Sequence, residues 1–143
     1  MKFKRSTTVF FLDRCLGKHP IIEILRSTGV AVEVHDDHFP QNAQDVEWIP
    51  EIGRKGWVVL TKDERIARNL IERRAIAYAN IRMFTLVSKQ LSGEETAIAF
   101  QDALQSMLKF IEKNKAPFIA KVYKTGKVQA WKKAKELQKE ISL

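Results

Sequence analysis

Gly56-Trp57-Val58-Val59-Leu60-Thr61-Lys62-Asp63 is the stretch that decides the fold. Four apolar residues run unbroken from Trp57 to Leu60. A run that short and β-branched reads as a strand covered on both faces. It stops on three polar residues, the last an acid. Thr8-Val9-Phe10-Phe11-Leu12-Asp13 has the same form: a buried strand that ends in an aspartate. In open parallel α/β sheets, ligands bind in the crevice outside the carboxyl ends of the strands. Two carboxylates delivered there repel one another unless a cation lies between them or one is protonated. The pair therefore reads as a hard-metal site on a small α/β domain.

Working outward, the first strand spans Val9 to Leu12, and Gly17 and Pro20 punctuate the turn into a helix. Pro20 suits the start of that helix, because its missing N–H would be unpaired there anyway. Ile21, Ile24, Leu25 and Thr28 share a face, and Gly29 stops it. Val30 to Val34 is a second strand, followed by the polar loop His35-Asp36-Asp37-His38. Asn42 or Asp45 is the expected cap of a short helix with Val46, Ile49 and Ile52 on its buried side. Pro50 should kink or split that helix, and Gly53 or Gly56 should close it.

After Asp63 a helix is expected at once, with Ile66, Leu70 and Ile71 apolar and Arg65, Arg68, Arg73 and Arg74 on its other faces. Ile81 to Val87 is the next strand. Ser92-Gly93-Glu94-Glu95 is a capping-box pattern that opens the longest helix. Its apolar positions are Ile98, Leu104, Met107, Leu108 and Ile111, and Pro117 prevents continuation. Phe118 to Tyr123 and Val128 to Trp131 form a hairpin that extends or flanks the sheet. A basic helix from Lys132 to Glu140 follows, with a thin apolar stripe of Trp131, Leu137 and Ile141 that docks on the sheet or reaches a partner. The alternation of strand and helix up to Pro117 predicts a mainly parallel sheet between two helical layers.

The chain has 143 residues, 45% hydrophobic and 29% charged, with a formal net charge of +8. That suits one soluble domain with a real core. An excess of positive charge favours polyanionic partners, nucleic acid first. The lone cysteine, Cys15, excludes an internal disulfide and any cysteine-cluster zinc site. No stretch approaches the roughly 20 apolar residues of a spanning helix, and the basic start lacks a signal-peptide pattern. A cytoplasmic protein with no membrane partner is the expectation.

Right-handed crossovers put the ends of equivalent strands on one edge, which favours Asp13 and Asp63 as a site rather than as two helix caps. Asp45 and Glu47 open the helix before the Trp57 strand and can face the same crevice. Asp36 and Asp37 lie on that edge too and are placed as supporting residues, with Thr61 beside them. With His35 and His38 they offer a rival His/Asp metal site, against which a plain polar loop is the simpler reading. Oxygen donors without cysteine or obligatory histidine select Mg²⁺ or Mn²⁺. Arg14, Lys18, Lys62, Arg65 and Arg68 form a basic rim suited to phosphates on either side of a scissile bond. Acids that hold metal within a basic protein suit a nuclease.

Phe11-Leu12-Asp13-Arg14, Asp45-Val46-Glu47-Trp48 and Val59-Leu60-Thr61-Lys62-Asp63 together resemble a PIN-like domain of the VapC toxin type. The resemblance runs from about Thr8 to Val87. It implies a three-layer α/β/α domain over 1–143, with a core at about 7–115 and a hairpin and helix over 116–143. It implies a metal-dependent ribonuclease acting on RNA, the toxin of a toxin–antitoxin pair, often homodimeric. By position, Asp13, Asp45 and Asp63 take the catalytic places, and with Glu47 they are the expected metal ligands. Many relatives carry an acid where this chain has Arg65. Two other readings compete. One is a non-catalytic RNA- or protein-binding module, in which the acids are helix caps. The other is a receiver-type signalling domain, which would want an acid pair near Asp13 where Leu12 and Arg14 stand.

Overall fold

The computed structural model describes residues 8–16, 19–63, 69–87 and 90–141. Six strands form one sheet in the order β2-β1-β3-β4-β5-β6. They are β1 (Val9–Leu12), β2 (Ala31–Val34), β3 (Val58–Thr61), β4 (Arg82–Leu86), β5 (Phe118–Val122) and β6 (Val128–Lys132). The first five run parallel, and β6 returns antiparallel on β5. The expected hairpin thus extends the sheet. Among the described residues the helices are α1 (His19–Ser27), α2 (Asp45–Lys55), α3 (Leu70–Tyr78), α4 (Gly93–Lys113) and α5 (Ala134–Ile141).

Alternation along each strand splits the core in two. Phe10, Leu12, Val58, Leu60, Phe84 and Phe118 face α1 and α4, where Leu25, Phe100 and Met107 meet them. Phe11, Val59, Met83 and Ile119 face the other way, onto Trp48, Ile49 and Ile52 of α2, Ile76 of α3 and Leu137 of α5. This is the three-layer arrangement the strand and helix pattern implies. It also assigns sides: Asp13 follows Phe11 by two residues and Thr61 follows Val59 by two. Both therefore point to the face that carries α2.

Several local expectations need correction. Helix α2 runs unbroken through Pro50, and its cap is Gln44, not Asn42 or Asp45. Gly56 ends it in the left-handed region, at φ +70°. Gly53 serves packing instead: a Cβ there would lie 2.3 Å from the Ala79 carbonyl oxygen, so only glycine lets α2 approach the end of α3.

Helix α3 starts on its own cap, Asn69, whose side chain accepts from the Ile71 amide at 2.8 Å. The helix expected directly after Asp63 falls partly outside the described residues. Its proposed apolar side is reversed where it can be seen: Ile71 is 68% exposed, while Ile76 and Ala77 are buried. Arg73 and Arg74 turn inward because α5 offers them a partner in Glu140. In α4 the Ser92–Glu95 capping box forms as expected, with Ser92 Oγ accepting from the Glu95 amide and the Glu95 carboxylate from the Ser92 amide, but Ile98 faces solvent and Ala97, Ala99 and Phe100 take the core. Helix α5 docks through Leu137 on the α2 and α3 layer. There Glu140, 11% exposed at its side chain, accepts from Arg73 Nε at 2.8 Å and from Lys132. No helix among the described residues is long and apolar enough to cross a membrane.

Candidate active site

The β1–β3 ladder continues one step past the strands. The Asp13 amide donates to the Leu60 carbonyl at 3.0 Å, which brings the end of β1 against Thr61. The Asp13 carboxylate, 6% exposed, is held from three sides. Its Oδ1 accepts from the Arg14 amide at 2.7 Å, and its Oδ2 accepts from the Thr61 hydroxyl at 2.9 Å. The Cys15 thiol lies 3.7 Å from the same Oδ2 and 3.5 Å from Thr61 Oγ1. The Thr61 hydroxyl also accepts from the Asp63 amide at 3.0 Å. One fully buried hydroxyl therefore ties together two acids that lie fifty residues apart in sequence.

Asp45 opens α2 on the same face of the sheet. Trp48, one turn along, donates its indole N–H to Asp45 Oδ1 at 3.0 Å and packs its ring, fully buried, against Phe11. The Asp45 carboxyl is pushed above the usual aspartate range. Burial is the main cause and the charge of Asp13 the next; Asp63 adds to them, while Trp48 and Arg14 oppose. The three carboxylates thus share one electrostatic field. Burial, followed by the charge of Asp13, likewise pushes the Cys15 thiol up. That keeps the thiol protonated at neutral pH, as a hydrogen-bond donor and not an anionic ligand.

The remaining predicted residues are placed differently. Glu47 is exposed, and its Oε2 accepts from the Gln44 amide at 2.9 Å, so it closes the start of α2. Asp36 and Asp37 are exposed in a 3₁₀ turn after β2; Asp36 meets His35 Nδ1 at 3.0 Å. His35 itself is 1% exposed, with its ring against Phe11, Phe39 and Trp48. It belongs to the core, not to a solvated loop. His38 pairs with Glu33 at 2.8 Å and sets its ring edge-on to Trp57. The two histidines are thus engaged separately. Arg14 and Lys62 are exposed beside the acids, whereas Lys18, Arg65 and Arg68 lie outside the described residues.

Sequence reasoning missed Cys15 and Trp48. The Trp48 signal was present, since three residues along a helix returns to the same face as Asp45. Cys15 joins the site only because residues 14–16 form a 3₁₀ turn.

Among the described residues, no three His, Cys, Asp or Glu side chains stand close enough together to enclose a metal ion. The donor chemistry nonetheless fits a hard divalent cation. The groups are carboxylates, oxygen donors of the kind such ions take, and the charges of Asp13 and Asp63 both act on Asp45.

A family model described as a PIN like domain matches residues 8–88. Among curated proteins, "Putative ribonuclease VapC45" of Mycobacterium tuberculosis (strain ATCC 25618 / H37Rv) is 27% identical over 117 residues, 79% of this chain and 84% of that protein. No solved structure matches. The receiver reading falls away, and with the matched segment covering β1 to β4 and every candidate carboxylate, the chain belongs to the PIN-like domain family.

Proposed function

We propose that this chain is a metal-dependent endoribonuclease of the VapC type, acting as one domain on RNA phosphodiesters and serving as the toxin of a toxin–antitoxin pair. The observation that carries the reading is the Thr61 hydroxyl, which fixes Asp13 and the Asp63 backbone together while Asp45 feels the charge of both acids. Neither helix capping nor core packing calls for three carboxylates in one field.

Asp13, Asp45 and Asp63 would hold Mg²⁺ or Mn²⁺, and Glu47 could join them only by leaving the Gln44 amide. Such an ion, when bound, acidifies water and neutralises phosphodiester charge. The chain's own residues set the rest. Thr61 and the Arg14 amide lock the Asp13 rotamer, and the Trp48 indole aims Asp45. Fully buried Phe11 and Trp48 keep water from beneath the site. Exposed Arg14 and Lys62 are placed to meet phosphate oxygens.

The test is cleavage of RNA by the purified chain with Mg²⁺ or Mn²⁺, against EDTA and against Asp63→Asn. Cleavage that needs both the metal and Asp63 is expected. RNA retention without cleavage, unchanged in Asp13→Asn and Asp63→Asn, would instead establish a binding module.

A further inference from the structure

The positive charge of this chain is not spread evenly. Residues 109–143 hold ten lysines and three glutamates, a net of +7, whereas residues 1–108 are nearly balanced. The whole chain carries +8. The polyanion attraction that composition suggests therefore resides almost entirely in the last quarter of the sequence.

The fold gathers part of that charge into a groove of about 560 Å³ between the end of α4 and the start of α5. Lys113, Asn114 and Lys115 line one wall, and Lys133 and Lys135 the other. All four lysines are exposed, and among the described residues none of them forms an ion pair. Two acids stand nearby: Glu112 lines the groove, and Glu136 accepts from the Lys133 backbone amide at 3.2 Å. The four ammonium groups outnumber them.

The groove opens where β5 begins and β6 ends, because Ile119 pairs with Lys132 there. The acids stand at the opposite ends of the parallel strands. Three strand spacings separate β3 from β6. At about 4.8 Å per spacing and about 13 Å of strand length, the groove and the acid edge lie roughly 20 Å apart.

We propose that this lysine groove is a second, sequence-independent site for the phosphate backbone of single-stranded RNA, which anchors a long substrate whose scissile bond lies at the acid edge. Naming the polyanion as RNA rests on the nuclease reading above. The groove has no aromatic lining on which bases could stack, and its lysines are donors that suit phosphate oxygens of any sequence, so it holds phosphates without reading bases.

Binding is measured in EDTA, by fluorescence anisotropy of labelled oligoribonucleotides of about 20 and about four nucleotides. The variant Lys113→Gln/Lys115→Gln/Lys133→Gln/Lys135→Gln is compared with Arg54→Gln/Lys55→Gln/Lys109→Gln/Lys124→Gln, which removes equal charge elsewhere. The groove variant should bind the long RNA at least about tenfold more weakly near physiological salt and lose about 3 from its log–log salt slope. The short RNA, which offers only a few phosphates, should bind more weakly than the long one and lose proportionately less in the groove variant. Equal losses in the two variants, an unchanged groove variant, or wild-type binding to phosphatidylglycerol vesicles in preference to RNA would overturn the proposal. Cleavage with metal is scored separately. A chain that binds through the groove but cuts nothing fails as a nuclease and keeps this site; one that cuts but binds independently of the groove does the reverse.

Discussion

Replacing Thr61 by valine keeps the shape of a fully buried side chain and removes its hydroxyl. Two hydrogen bonds disappear, one to an ionised carboxylate and one from the Asp63 amide. The first is worth about 1.5–3 kcal/mol and the second about 1 kcal/mol. The added methyl returns up to about 0.8 kcal/mol. The net loss is then about 2.5 kcal/mol. A chain of this length unfolds with an entropy near 0.3 kcal/mol/K, so Tm should fall by about 8 °C. Thr61→Ser keeps both bonds and loses one methyl, about 1 kcal/mol, so its fall should be nearer 3 °C. Activity should separate the two further. Serine should cut RNA close to the wild-type rate, while valine, with Asp13 and Asp63 no longer fixed to each other, should lose about a hundredfold. Calorimetry and a metal-dependent cleavage assay read both effects. Equal behaviour of the valine and serine variants in both assays would refute the idea that this hydroxyl organises the site.

Three other outcomes follow from the same structure. The Asp45 carboxyl is raised in the folded chain, so folding favours its protonated form, and metal-free stability should decline as pH rises from the ordinary aspartate range through the folded value. Asp45→Asn should therefore raise the Tm of the metal-free protein at neutral pH while abolishing cleavage; a lowered Tm contradicts the shared field. At Glu140, burial pushes the carboxyl up, but the bonds from Lys132 and Arg73 outweigh it and hold it below the ordinary range. Its contribution is full above the ordinary glutamate value and lost as pH falls through the folded one. Glu140→Gln should cost about 3 kcal/mol at neutral pH, with the gap to wild type closing in acid urea titrations. Gly53→Ala would set a Cβ 2.3 Å from the Ala79 oxygen and should cost about 1–3 kcal/mol by thermal melt, although alanine is the better helix former.

The sheet was legible because its strands are short apolar runs ending on polar residues, and parallel strands buried on both faces leave that mark. Asp13, Thr61 and Asp63 were legible for the same reason: each sits where such a run stops. What could not be read were consequences of tertiary pairing. His35 looks like a loop residue beside Asp36, yet it is buried because Phe11, Phe39 and Trp48 converge on it from three segments. Ile71 looks like the apolar side of a helix and Arg73 like its solvent side. The order is reversed because Glu140, 67 residues on, supplies the charge that lets an arginine turn inward. Glu47 has the spacing of a ligand and equally that of a capping box, and only the geometry tells which is formed.

The strands that bear the acids are interior ones. β1 lies between β2 and β3, and β3 between β1 and β4. Phe10 and Leu12 share their core with Phe84, Phe118 and Val122, which are synthesised much later. During translation, then, both tethered acids leave the ribosome early, but the walls that hold them are completed only when β5 follows α4 into the sheet. A growing chain that has reached residue 63 carries the carboxylates without the completed sheet that holds them. The cutting activity proposed above would then arise late in synthesis, once β5 has joined the sheet.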